Sequence, residues 1–306
     1  MTTPAPPNDA SPRNRRPTVV GLGEVLWDDL PNGRRLGGAP ANVAYHAMLR
    51  GADAKLITAV GTDEPGRTAL DRLTNQGIDV NHVAELSDRP TGVVDVTLDD
   101  AGSATYDIRT DVAWDHIPLT DANRNLARSA DAICFGTLAQ RNDVSRRTIM
   151  TLLDAAGPDC LRVYDVNLRA PHFSAEIIRA SVERCDVLKL NDDEVPDAAA
   201  ALGVASDEPV FASALIGLGL RMVVVTRGGD GSVLYTPDDV SELEPEPVEV
   251  VDTVGAGDSF TAAVLMGLLA DEDLSRIHRK AAAVASYVCT QEGATPETPE
   301  DVLAGK

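Results

Sequence analysis

Residues 250–260 read Val-Val-Asp-Thr-Val-Gly-Ala-Gly-Asp-Ser-Phe, a glycine-rich turn that runs directly into a stretch with helical apolar periodicity. Small residues let the backbone approach an anion closely, and the unpaired N–H groups of a helix's first turn point at that anion. A carboxylate at this junction, Asp258, would be repelled by a bound phosphate, so its presence indicates a need for proton transfer. The stretch predicts a phosphate-binding turn with a base beside it, which is what phosphoryl transfer to a hydroxyl requires.

Outward from this turn, strands and helices alternate along most of the chain. Apolar runs predict strands at 18–23 and 55–60 and near 131–136, 161–166, 186–190 and 221–226. Periodic apolar stretches predict helices at 41–50, 65–76, 142–155, 174–184, 208–219, 257–270 and 273–290. Such alternation is typical of parallel strands joined by crossover helices, and it predicts a three-layer α/β/α fold with a mostly parallel central sheet.

A few segments depart from this alternation. Residues 91–117 have the pattern of a β-hairpin, and a hairpin inserted between βα units is expected to project as a lid. Residues 24–36, with mixed charges, proline and glycine, are expected to form a loop that belongs to the lid insertion, and residues 231–251 a second hairpin. Residues 1–17 are expected to be a disordered tail, which leaves 18–306 as one domain.

The charge of the chain limits its partners. A formal net charge of −21 argues against nucleic-acid binding, because affinity for a phosphate backbone depends on clustered lysine and arginine. Only 4 of the 27 basic residues are lysine, and 33 of the 48 acidic residues are aspartate. Adaptation of the surface to high salt and a GC-rich genome both explain this bias, and the sequence does not choose between them.

Apolar runs and cysteines bear on where the protein works. No apolar run approaches the ~20 residues needed to span a bilayer, and the first residues lack the apolar stretch of a signal peptide. The four cysteines show no C-x-x-C pairing, which predicts reduced thiols in the cytoplasm. The five histidines show no metal-ligand spacing, and His46 is expected to be a hydrogen-bonded core residue rather than a catalytic one.

The glycine turn alone is a weak signal, because short glycine turns before helices are common. The chain lacks a Walker A lysine after the glycines and a G-x-G-x-x-G motif after a strand, which removes the fingerprints of P-loop and Rossmann proteins. Four further motifs accompany the turn, however. They are Gly37-Gly38-x-x-x-Asn42, Asp165-Val-Asn-Leu-Arg169, Asn191-x-x-Glu194 and Val225-Thr-Arg-Gly-Gly-x-Gly231.

Together these motifs resemble the ribokinase-like, or PfkB, family of carbohydrate kinases, from about residue 19 to about residue 293. Residues 23–28 and 33–46 are most similar to bacterial fructokinases. The resemblance implies a ribokinase-like fold with a small β lid and an ATP- and Mg²⁺-dependent sugar kinase that phosphorylates D-fructose on its 6-hydroxyl. Ribokinase, 2-keto-3-deoxygluconate kinase and nucleoside kinase are alternatives within the family, and a non-catalytic sugar-binding sensor is an alternative on the same fold.

The resemblance implies that the glycine turn carries the catalytic groups. Asp258 would be the base that accepts the proton of the attacking sugar hydroxyl. The backbone amides of Gly255, Ala256 and Gly257 would form the anion hole for the transferred phosphoryl group. The alternative for Asp258 is a helix N-cap, a position that aspartate also favours.

The resemblance also implies sites for the nucleotide and for cations. Asn191 and Glu194 would organise Mg²⁺ through water, because Mg²⁺ keeps much of its hydration shell; Asn191 could instead cap the following helix. Asp252 is placed where relatives can bind a monovalent cation such as K⁺, although a structural aspartate that accepts loop amides would look the same. The residues implied in nucleotide binding are Asn191, Thr226, Gly228 and Gly231.

On the acceptor side, Asp28, Gly38 and Asn42 would form hydrogen bonds with sugar hydroxyls, for which carboxylate and amide groups are well suited. Asn167 and Arg169 would reach the sugar or the incoming phosphate, although an ordinary surface ion pair also explains Arg169. These residues predict an acceptor site for a small polyol, with sugar and ATP as the partners.

The predicted lid carries apolar residues beside polar neighbours. A lid with such a strand can clasp a second lid, which predicts a homodimer. The apolar residues concerned are Val93, Val94, Val96 and Leu98.

Overall fold

The computed structural model describes residues 15–30, 33–98, 104–244 and 246–305. The strands are β1 (Thr18–Leu22), β2 (Leu26–Leu30), β3 (Gly33–Gly37), β4 (Asp53–Gly61), β5 (Val83–Leu86), β6 (Gly92–Leu98), β7 (Ala104–Ile108), β8 (Ala132–Gly136), β9 (Leu161–Asp165), β10 (Val187–Asn191), β11 (Met222–Thr226), β12 (Ser232–Tyr235) and β13 (Val240–Leu243). The helices are α1 (Ala39–Leu49), α2 (Glu64–Asn75), α3 (Asp121–Ser129), α4 (Asp143–Ala155), α5 (Ala175–Val182), α6 (Val195–Leu202), α7 (Glu208–Gly217), α8 (Ala256–Leu269), α9 (Leu274–Cys289) and α10 (Glu300–Leu303).

Nine of the described strands form the central sheet, in the order β13-β12-β11-β10-β9-β8-β1-β4-β5. The pairings from β11 to β5 are parallel, whereas β12 and β13 run antiparallel to their neighbours. The middle strands are apolar because helices cover both faces, and all of β8 is buried. The predicted three-layer α/β/α fold with a mostly parallel sheet is confirmed.

Two helix layers pack on this sheet. On one face, α8 and α9 bury Phe260 and Ile277 against the strands. On the other face, α4 and α7 bury Ile149 and Phe211. Each such side chain contributes about 1.5–3 kcal/mol by leaving water. The packed layers leave the carboxyl ends of the strands open along one edge, which is where open α/β sheets bind ligands.

A second sheet of four strands, in the order β3-β2-β6-β7, forms the lid. Because β2 pairs with β3 and with β6, residues 24–36 contribute two lid strands, and the expectation of a loop there is wrong. Leu26, Asp28 and Leu30 line the cavity beneath the lid. Strands are recognised in a sequence by the alternation of apolar and polar residues. In β2 the carboxylate of Asp28 stands between two leucines on the same face of the strand, which interrupts that alternation.

The predicted hairpin at 91–117 contains β6 and β7, which pair antiparallel. Its predicted turn at 99–102 and the side chains of Val96 and Leu98 lie outside the described part of the chain. Val93 and Val94 are only 5% and 4% exposed. These two valines are therefore buried within their own chain and do not form the exposed apolar patch expected for a contact between lids.

A buried ion pair joins the lid to the core. Arg141 donates to both carboxylate oxygens of Asp115, at 2.8 and 2.9 Å, and also to the Arg109 carbonyl just after β7. Its guanidinium lies 4.0 Å from the ring centre of the fully buried Trp114. Charge-assisted bidentate contacts of this kind are strong, so the chain leaving the lid is held firmly to the main domain.

Other elements differ from the sequence patterns or extend them. Strand β5 and helices α3, α6 and α10 have no counterpart among the predicted elements. The predicted hairpin at 231–251 is formed by β12 and β13, but its second strand ends at Leu243. Of the predicted tail, residues 1–14 lie outside the described ranges. Within those ranges, no helix is both long and apolar enough to cross a membrane.

Candidate active site

A cavity of about 1390 Å³ opens at the carboxyl ends of β9, β10 and β11, between the central sheet and the lid. A site for one small molecule usually measures about 300–1,000 Å³, so this cavity has room for two ligands side by side. Every predicted site residue except Glu194 lines it. The lining residues among the predictions are Asp28, Gly38, Asn42, Asn167, Arg169, Asn191, Thr226, Gly228, Gly231, Asp252, Gly255, Ala256, Gly257 and Asp258.

Residues 255–257, here called the phosphate cup, begin helix α8. Gly255 is the N-cap with φ +81°, and a Cβ there would lie 2.5 Å from Cα and O of Ala294. Only glycine therefore fits this position. The first N–H groups of α8 face the cavity end of the helix, where their partial positive charge favours an anion.

Asp258 lies one residue beyond the cup, and its Oδ2 accepts a 2.7 Å hydrogen bond from Asn42 Nδ2. Because Gly255 occupies the N-cap without any side-chain cap, Asp258 does not serve as the helix cap. Burial, and then the charge of Asp165, raise the pKa of Asp258 to about 6. The carboxylate is therefore a stronger base than an ordinary aspartate.

Lys189 is a site residue that the sequence patterns miss. It is 8% exposed, and its Nζ donates to Asp165 Oδ1 at 3.1 Å. Nζ also lies 3.0 Å from the position that a Cβ on Gly257 would occupy, so the ammonium group is beside the phosphate cup. Burial alone would lower the pKa of Lys189, but neighbouring carboxylates, Asp165 foremost, raise it above its ordinary value, so the side chain is cationic.

Asp28 and the start of α1 line the part of the cavity predicted to bind the acceptor. The Asp28 carboxylate lies over Gly37, where a Cβ would come within 2.8 Å of Oδ2. Burial raises the pKa of Asp28 to about 6, while the charges of Arg169 and Arg35 oppose that shift. Gly38 has φ +117° and leads directly into the helix that presents Asn42. A carboxylate and an amide thus face the same space, as recognition of a polyol requires.

Asn167 and Arg169 reach the cavity from the loop after β9. Asn167 adopts φ +40°, a left-handed conformation that asparagine tolerates better than most residues. Arg169 Nη1 donates to the Leu168 carbonyl at 2.9 Å. Its charge also lowers the pKa of Asp258, so the guanidinium acts on the predicted base and not only on solvent.

Glu24 is a second residue that the sequence patterns miss. It follows β1, lines the cavity, is 3% exposed, and its Oε2 has no hydrogen-bond partner in the described part of the chain. Burial raises the pKa of Glu24 to about 7, and the charge of Asp258 adds to the rise. Its sequence signal is weak, because a glutamate directly after a strand is usually exposed.

The residues predicted to bind the nucleotide lie at the ends of β10 and β11. Thr226 ends β11, and Gly228 and Gly231 follow with φ +53° and +97°. A Cβ on Gly231 would lie 2.2 Å from the Leu243 carbonyl oxygen, so this turn closes tightly on β13. A glycine-rich turn at this place leaves open backbone for a nucleotide to approach.

Asn191 and Glu194 form a capping box. Asn191 Oδ1 accepts from Glu194 N, and Glu194 Oε2 accepts from Asn191 N, both at 2.9 Å. Glu194 Oε1 accepts from Leu168 N at 2.6 Å, so both carboxylate oxygens already bind main-chain amides. Asn191, Asp192 and Asp193 line the cavity, whereas Glu194 does not. No cluster of three or more metal-ligating side chains occurs in the described ranges.

Asp252 is joined to the lid. Its Oδ2 accepts from Arg35 Nη1 on β3 at 2.6 Å and from Gly293 N at 3.1 Å, and its Oδ1 accepts from Val254 N at 3.1 Å. The carboxylate thus pairs with an arginine and accepts two loop amides, as expected for the structural aspartate that the sequence left as an alternative.

Similarity to solved structures defines the class of this fold as ribokinase-like. The structure of an uncharacterized sugar kinase from Pyrococcus horikoshii superimposes with a TM-score of 0.81 at 28% identity and covers 93% of this chain and 95% of that one. Residues 32–301 match the profile described as pfkB family carbohydrate kinase. The chain therefore belongs to the pfkB family of carbohydrate kinases.

Two further relatives carry more specific names. Probable fructokinase-2 of Arabidopsis thaliana is 30% identical over 312 residues, which span 94% of each protein. A double mutant of a Vibrio cholerae fructokinase, solved with fructose, ADP and potassium bound, superimposes with a TM-score of 0.76 at 25% identity and covers 92% of this chain and 94% of that one. The similarity spans nearly the whole length of all these proteins.

Proposed function

We propose that this carbohydrate kinase transfers the γ-phosphoryl group of ATP to D-fructose and forms fructose 6-phosphate. The observation that carries the proposal is the 2.7 Å hydrogen bond between Asn42 and Asp258, because it joins the acceptor side to the base beside the phosphate cup. The fructokinase names among the relatives, and the fructose and ADP bound by the V. cholerae enzyme, support this choice of acceptor and nucleotide.

Asp258 would act as the general base. The 6-hydroxyl oxygen forms a bond to the γ-phosphorus, the bond from that phosphorus to the ADP oxygen breaks, and the hydroxyl proton passes to Asp258. A pKa of about 6 suits this role, since the carboxylate is ionised at pH 7 yet accepts a proton more readily than an ordinary aspartate. Asn42 would hold the carboxylate in place during the transfer.

The phosphate cup and Lys189 would stabilise the charge of the transferred group. Main-chain N–H groups at a helix N-terminus are fixed in advance, so they need no reorganisation when negative charge develops. The Lys189 ammonium lies beside Gly257 in a buried setting, where a positive charge acts more strongly than in water. Asp165 would keep that ammonium in position through its 3.1 Å contact.

Mg²⁺ is proposed to accompany the ATP phosphates. Asp192 and Asp193 fit such an ion, because Mg²⁺ is usually held by one or two carboxylates together with substrate phosphates, often through water. Glu194 would contribute indirectly, by fixing Asn191 and the loop at Leu168. When bound, the ion would neutralise charge on the phosphates. Thr226, Gly228 and Gly231 would line the nucleotide.

A monovalent cation at Asp252 has support from the potassium in the V. cholerae relative. In this chain, however, the donor set fits such an ion poorly, because Arg35 already neutralises the carboxylate. The proposed transfer does not depend on a cation at this position.

We also propose that the protein works in the cytoplasm. The four cysteines are unpaired, and Cys134, Cys160 and Cys185 are buried. Buried thiols are typical of proteins from a reducing compartment, where ATP and phosphorylated sugars are also found.

The lid is proposed to exclude water and to mediate a homodimer. Excluding water matters because water competes with the sugar for the phosphoryl group. Strands β3 and β7 are the outer strands of the lid sheet, and an outer strand offers unpaired backbone groups to a second chain. We expect light scattering at micromolar concentration to give twice the mass of one chain. A monomer mass would contradict the dimer and leave the kinase proposal intact.

A panel of acceptors tests the function directly. ADP release is measured with ATP and Mg²⁺ against D-fructose, D-ribose, 2-keto-3-deoxygluconate, adenosine and fructose 6-phosphate. We expect the largest kcat/KM for D-fructose, because Asp28 and Asn42 present hydrogen-bonding groups, and Phe260 is the one aromatic residue among the described residues that line the cavity, too few to form a slot for a base. A larger value for another acceptor would replace fructose, and no ADP release with any of them would favour a non-catalytic sensor.

A further inference from the structure

His46 is a buried side chain of α1 that the proposed mechanism does not use. It is 1% exposed, and its Nε2 lies 2.9 Å from the Ala294 carbonyl oxygen. A carbonyl oxygen only accepts, so Nε2 carries the proton and donates. Burial lowers the pKa of His46 to about 4, which keeps the ring neutral at ordinary pH.

The residue that His46 holds is in direct contact with the phosphate cup. Ala294 packs on Gly255 so closely that any Cβ on that glycine would lie 2.5 Å from Ala294 Cα. The preceding residue, Gly293, donates its N–H to Asp252 Oδ2 at 3.1 Å. The Gly293–Ala294 segment therefore supports the catalytic turn at two points, one before the cup and one at its first residue.

Helix α1 also reaches the base. Asn42 lies one turn before His46 on the same helix and donates to Asp258 Oδ2 at 2.7 Å. One rigid helix thus fixes the catalytic carboxylate through Asn42 and the support of the cup through His46.

We propose that His46 is a positioning residue for phosphoryl transfer, which holds Ala294 against Gly255 so that the cup amides keep their orientation. The proposal rests on the proposed role of residues 255–257 as the phosphate cup. Without the His46 donor, the Ala294 carbonyl would be left buried and unpaired, and the segment would shift to find another partner. A displacement of about 1 Å at the cup is enough to lower turnover about 100-fold.

A neighbouring contact provides a matched control. Tyr45, the residue before His46, donates its hydroxyl to the Pro296 carbonyl at 3.2 Å. This bond holds the same C-terminal segment to the same helix, but two residues farther from the cup. If α1 only anchors the C-terminal segment, the two hydrogen bonds should matter equally.

The experiment compares kcat and KM of four variants, His46→Leu, His46→Asn, His46→Gln and Tyr45→Phe, with D-fructose, or with whichever acceptor the wild type phosphorylates. Leucine removes the donor, asparagine is too short to reach Ala294, and glutamine places an N–H donor about as far out as Nε2. We expect kcat to fall about 10- to 100-fold for His46→Leu and His46→Asn, with KM for the sugar changing less. We expect His46→Gln to recover most of kcat, and Tyr45→Phe to keep it within about twofold of the wild type.

Three outcomes would overturn the positioning role. The first is a kcat in the folded His46→Asn enzyme equal to that of the wild type. The second is a loss of kcat in Tyr45→Phe as large as the loss in the His46 variants that lack the donor. The third is a kcat in His46→Gln as low as in His46→Asn. Should His46→Leu fail to fold, the asparagine and glutamine pair decides. These outcomes are distinct from failure of the proposed function, which would appear in the wild type as a lack of phosphorylation of fructose.

Discussion

The Asp258→Asn variant is expected to phosphorylate D-fructose about 10²- to 10⁴-fold more slowly than the wild type, which is the usual loss when a positioned general base is removed. Asparagine keeps the shape of the side chain and a hydrogen bond with Asn42, so the loss reports on proton transfer rather than on packing. ATP affinity, measured by calorimetry, should change little, because the carboxylate does not form the cup.

The dependence on pH provides an independent measurement of the same group. Burial raises the pKa of Asp258 to about 6, and a base works only when ionised. The wild-type kcat/KM should therefore fall about tenfold per pH unit as the pH drops below about 6. Asp28 and Glu24 titrate near the same pH, with pKa values of about 6 and 7. The part of the pH dependence of kcat/KM that is lost in Asp258→Asn can therefore be assigned to Asp258.

A matched control is available in Asp207, which lies at the start of α7 away from the cavity and caps that helix through Val210 N. Asp207→Asn should keep kcat within about twofold of the wild type, since it removes an acidic group from a helix start without touching the site. Near-normal turnover in Asp258→Asn would remove Asp258 from the role of base.

The second large effect is expected for Lys189→Met. Methionine fills a similar volume without the charge, so the transferred phosphoryl group would lose an ammonium partner in a buried setting. Loss of one such fixed charge-stabilising donor typically lowers kcat about 10²- to 10³-fold. The same variant also leaves the buried Asp165 carboxylate without its cationic partner, at a cost of about 3–5 kcal/mol in the free energy of unfolding.

Stability and catalysis can be separated with a double variant. Asp165→Asn added to Lys189→Met removes the unpaired carboxylate, and Thr261 Oγ1 can still donate to the asparagine oxygen in place of Asp165 Oδ2. We expect the double variant to regain most of its melting temperature while kcat stays low. A double variant that regains kcat along with stability would show that Lys189 acts only through the fold.

The features that the sequence predicts well are local in the chain. The cup and Asp258 are read from adjacent residues, since glycine spacing and a following helix are visible in one short stretch. The parallel sheet is equally visible because strands such as β8 and β11 are continuous apolar runs. The predicted acceptor and nucleotide residues came together in one cavity because they end or follow a strand of this sheet, lie in the lid above it, or lie at the start of α1, which follows the lid strands.

The features that the sequence misses depend on distant partners. A lysine inside β10 has meaning only once Asp165 lies opposite it on β9. His46 could be recognised as a buried, hydrogen-bonded histidine, but its partner Ala294 is far along the chain. The spacing of Asn191 and Glu194 fits both a metal role and a capping box, and the bond from Leu168 N to the glutamate could not be foreseen.

The position of strands β2 and β3 in the chain bears on how the acceptor preference of this kinase could change. Glu24, Asp28, Gly38 and Asn42 all belong to one continuous stretch that leaves the sheet, builds half of the lid and returns as α1. Apart from Asn42, which bonds to Asp258, the groups proposed to handle the phosphoryl transfer come from β9 onward. Of the proposed acceptor residues, Asp28, Gly38 and Asn42 lie in this one stretch, whereas Asn167 and Arg169 follow β9. An exchange of the stretch that keeps Asn42 would therefore alter most of the proposed acceptor site and leave the groups proposed for phosphoryl transfer in place.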